Sequence, residues 1–235
     1  MALVASFASV VAVGLYTFHF SAPLADYDTK TGEQRSVELL DGSRLYLNTA
    51  SAASIEFTEA RRTVLLHAGE IYVEVASDAD RPFVVDAGTG TATALGTSFS
   101  VKRRHEAFDV LVASSRVGVA VSDAGSTVVE AGQGVRVTAT GIQPVEPQSV
   151  QMALSWRSGR LVFDGLPLGE VFAELDRYLP GRVVIADSAV KAIPVTATFS
   201  IARIDTALET IEQTLPVRLI RLSDRLTFVF AASPP

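Results

Sequence analysis

The sequence predicts a mainly β domain followed by a small α+β domain, behind an N-terminal membrane-spanning helix. Three observations carry this. The chain opens on an uncharged apolar run. Residues 27–140 are filled with short alternating segments separated by turn residues. Past residue 150 the apolar spacing changes from a period of two to a period near 3.6. The 235 residues suffice for two small domains, each with its own core. The expected boundaries are 1–25 for the span or signal anchor, 26–150 for the β domain and 151–235 for the α+β domain.

The apolar run accounts for a mean hydropathy of +0.31, high for a soluble domain. No Asp, Glu, Lys or Arg occurs from Ala2 to Ala25. The 19 residues Ala2–Phe20 would form a helix of about 28 Å, close to the hydrocarbon width of a bilayer. Tyr16, Phe18, His19 and Phe20 stand at its far end, where amphipathic rings favour the interface. A cleaved signal peptide is the competing reading. It is weakened because no basic residue precedes the run and Ser21–Ala25 makes a poor cleavage site. A span starting at residue 2 without a charged arm also suggests further sequence upstream.

In the β region, Val37 and Leu39, then Leu45 and Leu47, flank Asp41-Gly42, a hairpin signal because both residues tolerate positive φ. Ile55, Phe57, Val64 and Leu66 continue the alternation. In Glu70-Ile71-Tyr72-Val73-Glu74 the apolar and polar positions fall on opposite faces. Phe83–Val85, Phe99–Val101, Val110–Val112, Val117–Val121 and Val135–Val137 complete the set. A sandwich, a barrel and a short β-solenoid all fit this pattern. Gly141, Pro144 and Pro147 are read as strand breakers marking the boundary.

Beyond the boundary, Leu168, Val171, Phe172, Leu175 and Leu179 line one helical face between Pro167 and Pro180. Asp205 is placed as the cap of a second helix, with Leu208, Ile211 and Leu215 facing in and Pro216 ending it. With strands at Leu161–Phe163, Val183–Ile185, Pro194–Phe199, Val217–Ile220 and Leu226–Phe230, the order is β-α-β-β-α-β-β.

The net charge of −6 is uneven. Residues 26–150 hold 11 Lys and Arg against 17 Asp and Glu, whereas residues 151–235 hold nine of each. That balance argues against nucleic acid, which needs a basic face. The absence of cysteine excludes disulfides and thiolate chemistry. His19, His67 and His105 show no ligand spacing, so no metal is expected. Gly88-Thr89-Gly90 is followed by Thr93 where a dinucleotide loop needs a third glycine, and no cofactor is expected. Glu70 and Glu74 share one strand face and could raise each other's pKa, but nothing marks a substrate cleft beside them.

Seven phrases, in order, are similar to the FecR family of bacterial transmembrane regulators. They are Tyr27-x-Thr29-x-x-Gly32-Glu33-Gln34-Arg35, Leu40-x-Gly42-Ser43-x-Leu45-x-Leu47-Asn48, Gly69-Glu70-x-Tyr72-x-Glu74-Val75 and Arg81-Pro82-Phe83-Val84-Val85. Then follow Ala94-Leu95-Gly96-Thr97-x-Phe99-x-Val101, Ala131-Gly132-Gln133 and Trp156-x-x-Gly159-x-Leu161-x-Phe163. The C-terminal region is similar to the short N-terminal domain (STN) of secretins and TonB-dependent receptors.

The resemblance implies an anti-sigma regulator that crosses the bacterial inner membrane once, with residues after about 25 in the periplasm. It implies that the periplasmic part meets the signalling domain of a TonB-dependent outer-membrane receptor, often one importing ferric siderophores. A cytoplasmic segment would bind an extracytoplasmic-function sigma factor. No residue of this chain matches that segment. Binding and relay, not enzymatic turnover, are therefore expected. A structural or glycan-binding periplasmic β-domain and a periplasmic hydrolase are the competing classes.

The resemblance also implies a candidate self-cleavage site at Gly96-Thr97. The Thr97 hydroxyl would attack the Gly96 carbonyl, and water would open the resulting ester. The amide-to-ester step is uphill, so strain of about 1–3 kcal/mol is expected in the peptide. The competing reading is an ordinary strand bend. Leu226, Thr227, Phe228, Val229 and Phe230 are a candidate partner-binding strand if they form a sheet edge, and core if they do not. Lys102-Arg103-Arg104-His105 reads as a solvated turn before it reads as an acid-binding patch. Trp156 reads as packing at the junction before it reads as a binding hot spot.

Overall fold

The structure, a computed structural model, describes residues 25–121, 125–145 and 149–232. The expected span therefore lies outside the described residues, apart from Ala25. Among the described residues no helix is long and apolar enough to cross a membrane.

The chain is mainly β. Its first unit has two open seven-stranded sheets, with strands numbered in chain order. One runs β1 (Tyr27–Asp28), β4 (Ala52–Phe57), β5 (Arg62–Ala68), β7 (Phe83–Asp86), β8 (Thr91–Ala94), β11 (Arg116–Val121), β12 (Gly125–Glu130). The other runs β14 (Gly141–Val145), β13 (Gly134–Thr138), β10 (Ala107–Ser114), β9 (Ser98–Arg103), β6 (Glu70–Glu74), β3 (Arg44–Leu47), β2 (Arg35–Glu38). Neighbours are antiparallel except β5 and β7. Alternate residues of both sheets feed one core: Leu45, Ile71, Val73 and Phe99 from one, Val64, Phe83, Val85 and Val119 from the other. Two open sheets sharing a core make a sandwich, which selects among the three architectures the alternation allowed.

Gly69 carries the chain from β5 to β6, between the sheets. Its φ is +78°, and a Cβ there would lie 2.2 Å from Ser51 Oγ. Only glycine satisfies both demands. The expectation that Pro144 breaks any strand is corrected, because Pro144 lies within β14 opposite Val135. β14 is an edge strand, so the missing N–H of proline deprives no neighbour of a hydrogen bond. β12 was not anticipated, because its Gly125-Ser126-Thr127 start lacks an apolar alternation.

A short helix, α1 (Val150–Ala153), starts the second unit, capped by the Ser149 hydroxyl accepting from Met152 N at 2.9 Å. A 3₁₀ turn, Ser155–Ser158, follows. Then come β15 (Arg160–Pro167), α2 (Leu168–Leu175), β16 (Arg182–Ile185), β17 (Pro194–Ser200), α3 (Asp205–Thr214), β18 (Val217–Ser223) and β19 (Leu226–Ala231). Asp205 is the first helical residue of α3; Ile204 holds the cap position. β15 pairs with β17, and a three-stranded sheet runs β16-β19-β18. β19 is therefore central, paired parallel to β16 and antiparallel to β18. This corrects the edge reading of Leu226–Phe230: both of its hydrogen-bonding sides are occupied.

Candidate functional site

The site is the seam between the units, and the alternation of β6 creates it. Ile71 and Val73 point into the sandwich core, so Glu70, Tyr72 and Glu74 stand on the outer face of their sheet. Tyr46 on β3 and Ser100 and Lys102 on β9 flank them in register. Tyr72 belongs to the core of the second unit, with Trp156, Leu175 and Tyr178. The C-terminal unit therefore completes its core on the back of the sandwich.

Glu70, only 3% exposed, is the centre. It accepts from Arg177 Nη1 at 2.8 Å and Asn48 Nδ2 at 3.0 Å through one oxygen. It accepts from Trp156 Nε1 at 3.1 Å and Ser100 Oγ at 3.3 Å through the other. Arg177 Nη1 also reaches Glu174 Oε1 at 2.5 Å, and Lys102 Nζ meets the other Glu174 oxygen at 2.5 Å. Tyr178 and Asn48 exchange hydrogen bonds of 2.7 and 3.0 Å. Gln34 Nε2 donates to Asn48 Oδ1 and to the Trp156 carbonyl, both at 3.0 Å. At the rim, Arg157 pairs with Glu74 at 2.6 Å and lies 3.7 Å from the Tyr72 ring centroid.

Beside this network a cleft of about 630 Å³ separates sheet from helix. Lys102, Arg104, Asp109 and Arg136 line the sandwich side, and Glu170, Ala173 and Glu174 of α2 face them. Leu111, Met152 and Leu166 supply apolar wall. Asp109 receives Arg136 at 2.7 and 3.0 Å and Arg104 at 2.6 Å.

Burial works against the charge of Glu174, yet the Lys102 ammonium and Arg177 guanidinium outweigh it and hold its carboxyl at about 2. Burial likewise opposes ionisation of Asp109, but Arg136 and Arg104 keep it below the usual carboxylate range. Burial, then the nearby charges of Glu70 and Glu174, push the Tyr178 hydroxyl far above its ordinary value. The carboxylates Glu70, Glu174 and Asp109 are each committed to cations. The chemistry suits a joint that holds two bodies in one orientation.

The candidate self-cleavage pair lies elsewhere. Gly96 and Thr97 occupy the crossing from β8 to β9, with Gly96 exposed and Thr97 buried. The Thr97 hydroxyl donates to the Ser114 carbonyl. The pair borders an open pocket of about 380 Å³ shared with Glu74, Ser77 and Ser114. Neither residue has positive φ.

The basic run divides. Lys102 is at the seam, Arg103 donates to the Leu66 carbonyl at 2.8 Å, Arg104 pairs with Asp109, and His105 is exposed in the turn. Trp156 is 2% exposed and packs the junction. His67 Nε2 bonds Ser54 Oγ at 2.8 Å. Gly88 and Gly90 belong to the tight turn from β7 to β8. Among the described residues no cluster of three His, Cys, Asp or Glu could hold a metal ion. Sequence reasoning missed Arg177, Tyr178, Glu174 and Asn48 as seam residues. Asn48 closes the second of the seven phrases and Glu70 follows Gly69 at the start of the third, the one available signal.

The family model described as FecR protein matches residues 25–118, and that of the FecR C-terminal region matches residues 160–228. The chain belongs to the FecR family. That assignment makes it a regulator, and the seam joins the regions that the two family models match. Two crystal structures of candidate anti-sigma factors from Parabacteroides distasonis ATCC 8503 share the FecR-family fold seen here. The 1.65 Å structure is 23% identical with a TM-score of 0.75, covering 89% of this chain and 100% of that one. The 2.50 Å structure is 23% identical with a TM-score of 0.72, covering 88% and 98%. At that identity the likeness is one of fold. The curated proteins include no match to this chain.

Proposed function

We propose that this FecR-family chain is the periplasmic sensor and inner-membrane anchor of a sigma regulator. In this reading residues 1–25 span the membrane once. The two folded units stand outside, and the C-terminal unit receives the signalling domain of a TonB-dependent outer-membrane receptor. Receptor occupancy, typically by an iron chelate, is relayed to an extracytoplasmic-function sigma factor on the other side. The supporting observation is the seam. A partner's grip on the C-terminal unit is transmitted to the sandwich only if the two move as one, and the Glu70–Arg177–Glu174–Lys102 network couples them. Calorimetric titration of the full chain in detergent with the purified receptor signalling domain tests the reading. Micromolar or tighter binding is expected; no heat and no co-elution at 100-fold excess would overturn it.

A second reading, self-cleavage at Gly96-Thr97, has its own support. The Thr97 hydroxyl is held by the Ser114 carbonyl at an exposed crossing between sheets. Attack of Thr97 Oγ on the Gly96 carbonyl carbon would break the C–N bond and transfer the hydroxyl proton to the Thr97 nitrogen. Water would then release a Gly96 carboxylate and regenerate the hydroxyl. Mass spectrometry of aged protein should find a fragment beginning at Thr97, lost in Thr97→Ala and kept in Thr97→Ser. A wild-type chain that stays whole removes this step without touching the relay.

A further inference from the structure

The three-stranded sheet of the C-terminal unit covers only one of its faces. Val183, Ile185, Leu219 and Val229 turn inward to the core. Alternation sends their neighbours to the other side, where Val184 pairs with Phe228, Phe228 with Ile220, and Phe230 with Arg218. There Val184 is 40% exposed, Ile220 39%, Phe230 37% and Leu222 66%. Contiguous apolar surface of this kind on a folded unit marks a place of contact.

The geometry also says how contact is made. On each outer strand one N–H group that an added strand could use is taken by a carboxylate. Val183 N donates to Asp176 Oδ1 at 2.7 Å on β16, and Leu219 N donates to Glu212 Oε1 at 2.8 Å on β18. These caps blunt the edges against strand addition. The face itself is open, and its two charged side chains are both cationic and exposed: Arg218, and Arg182, which lies 3.8 Å from Asp176 but keeps 82% of its side chain exposed.

We propose that this face, not an edge, docks an acidic protein domain whose apolar patch is rimmed by Asp and Glu. The proposal rests on the reading that the C-terminal unit receives the partner, and it names the surface and the chemistry. Exposed arginines give such a contact its steering and its salt dependence.

The test titrates the full chain in detergent with the receptor signalling domain, using Leu222→Asp, the double variant Arg182→Glu/Arg218→Glu, and Glu212→Ala. The first two alter exposed side chains; circular dichroism and Trp156 emission verify their folding. Each should weaken binding by about tenfold or more, and wild-type affinity should fall with added salt. Glu212→Ala removes the acceptor of Leu219 N and should stay within about twofold, because it frees an edge the partner does not use. Wild-type binding that Leu222→Asp and the double variant leave within about twofold overturns this surface alone. A change confined to Glu212→Ala overturns the face-on mode in favour of strand addition. A wild-type chain that binds nothing overturns the receptor reading and this one together. A wild-type dimer dispersed by Leu222→Asp with receptor binding intact assigns the face to a second copy and also overturns the proposal.

Discussion

Replacing Arg177 by methionine tests the seam directly. Arg177 Nη1 bridges Glu70 at 2.8 Å and Glu174 at 2.5 Å, and its side chain is 20% exposed. Methionine retains much of the length and loses the charge. Glu174 keeps Lys102, but Glu70, with 4% side-chain exposure, keeps only the neutral donors Asn48, Trp156 and Ser100. Removing one partner of a buried ion pair costs about 3–5 kcal/mol. For a chain of this size about 2–4 °C of Tm accompanies each kcal/mol, so a loss of roughly 6–20 °C is expected. Adding Glu70→Gln removes the stranded charge, and the double variant should lose less than the sum of the singles, with coupling of about 0.5–3 kcal/mol. The readout is built in. Trp156 is the chain's single tryptophan, is buried in the seam and donates to Glu70. Its emission should shift red in a transition that precedes the loss of β circular dichroism, because the units then part before they unfold. Arg177→Met melting within about 1 kcal/mol of wild type, with one transition and unshifted emission, would refute the assignment of the coupling to this network.

Two further outcomes follow from buried charge. The Glu174 carboxyl titrates at about 2 in the fold against an ordinary 4.5, so its ionised form stabilises the folded state. That contribution is complete above pH 4.5 and drains as pH falls toward 2. Wild-type Tm should therefore drop more steeply across that window than that of Glu174→Gln, and parallel curves would count against the shift. Inside the sandwich, Arg62 has a fully buried side chain paired at 2.8 Å with Asp41, itself 2% exposed. Asp41→Ala strands that guanidinium, and the urea midpoint should report a loss of about 3–5 kcal/mol with unchanged m-value. A loss below about 1 kcal/mol would mean that the Ala76 and Arg81 carbonyls suffice for Arg62.

Local patterning carried the fold further than it carried the site. Ile71 and Val73 alternate with Glu70, Tyr72 and Glu74, and the first pair is buried in the sandwich core. Leu168, Val171, Phe172 and Leu175 keep helical spacing, and all four are buried. Pro144 misled because proline penalises a strand only where its N–H is wanted, and edge position is not a local property. Leu226–Phe230 stayed open for the same reason, and the structure takes its core reading: an apolar, β-rich segment near a chain end is equally at home at a sheet's centre.

The alternation of strands and helices from Leu161 to Phe230, the apolar run at the start and the membership in a family of regulators were legible in the chain, because each depends on residues close together in sequence. Partnership across the seam was not. Glu70 and Arg177 are separated by 107 positions and meet only when the back of one unit becomes the floor of the other. No periodicity encodes which strand of a three-stranded sheet lies in the middle, or which face of it stays uncovered. Those follow from long-range pairing, where the free energy of a contact depends on what the rest of the chain has already brought alongside.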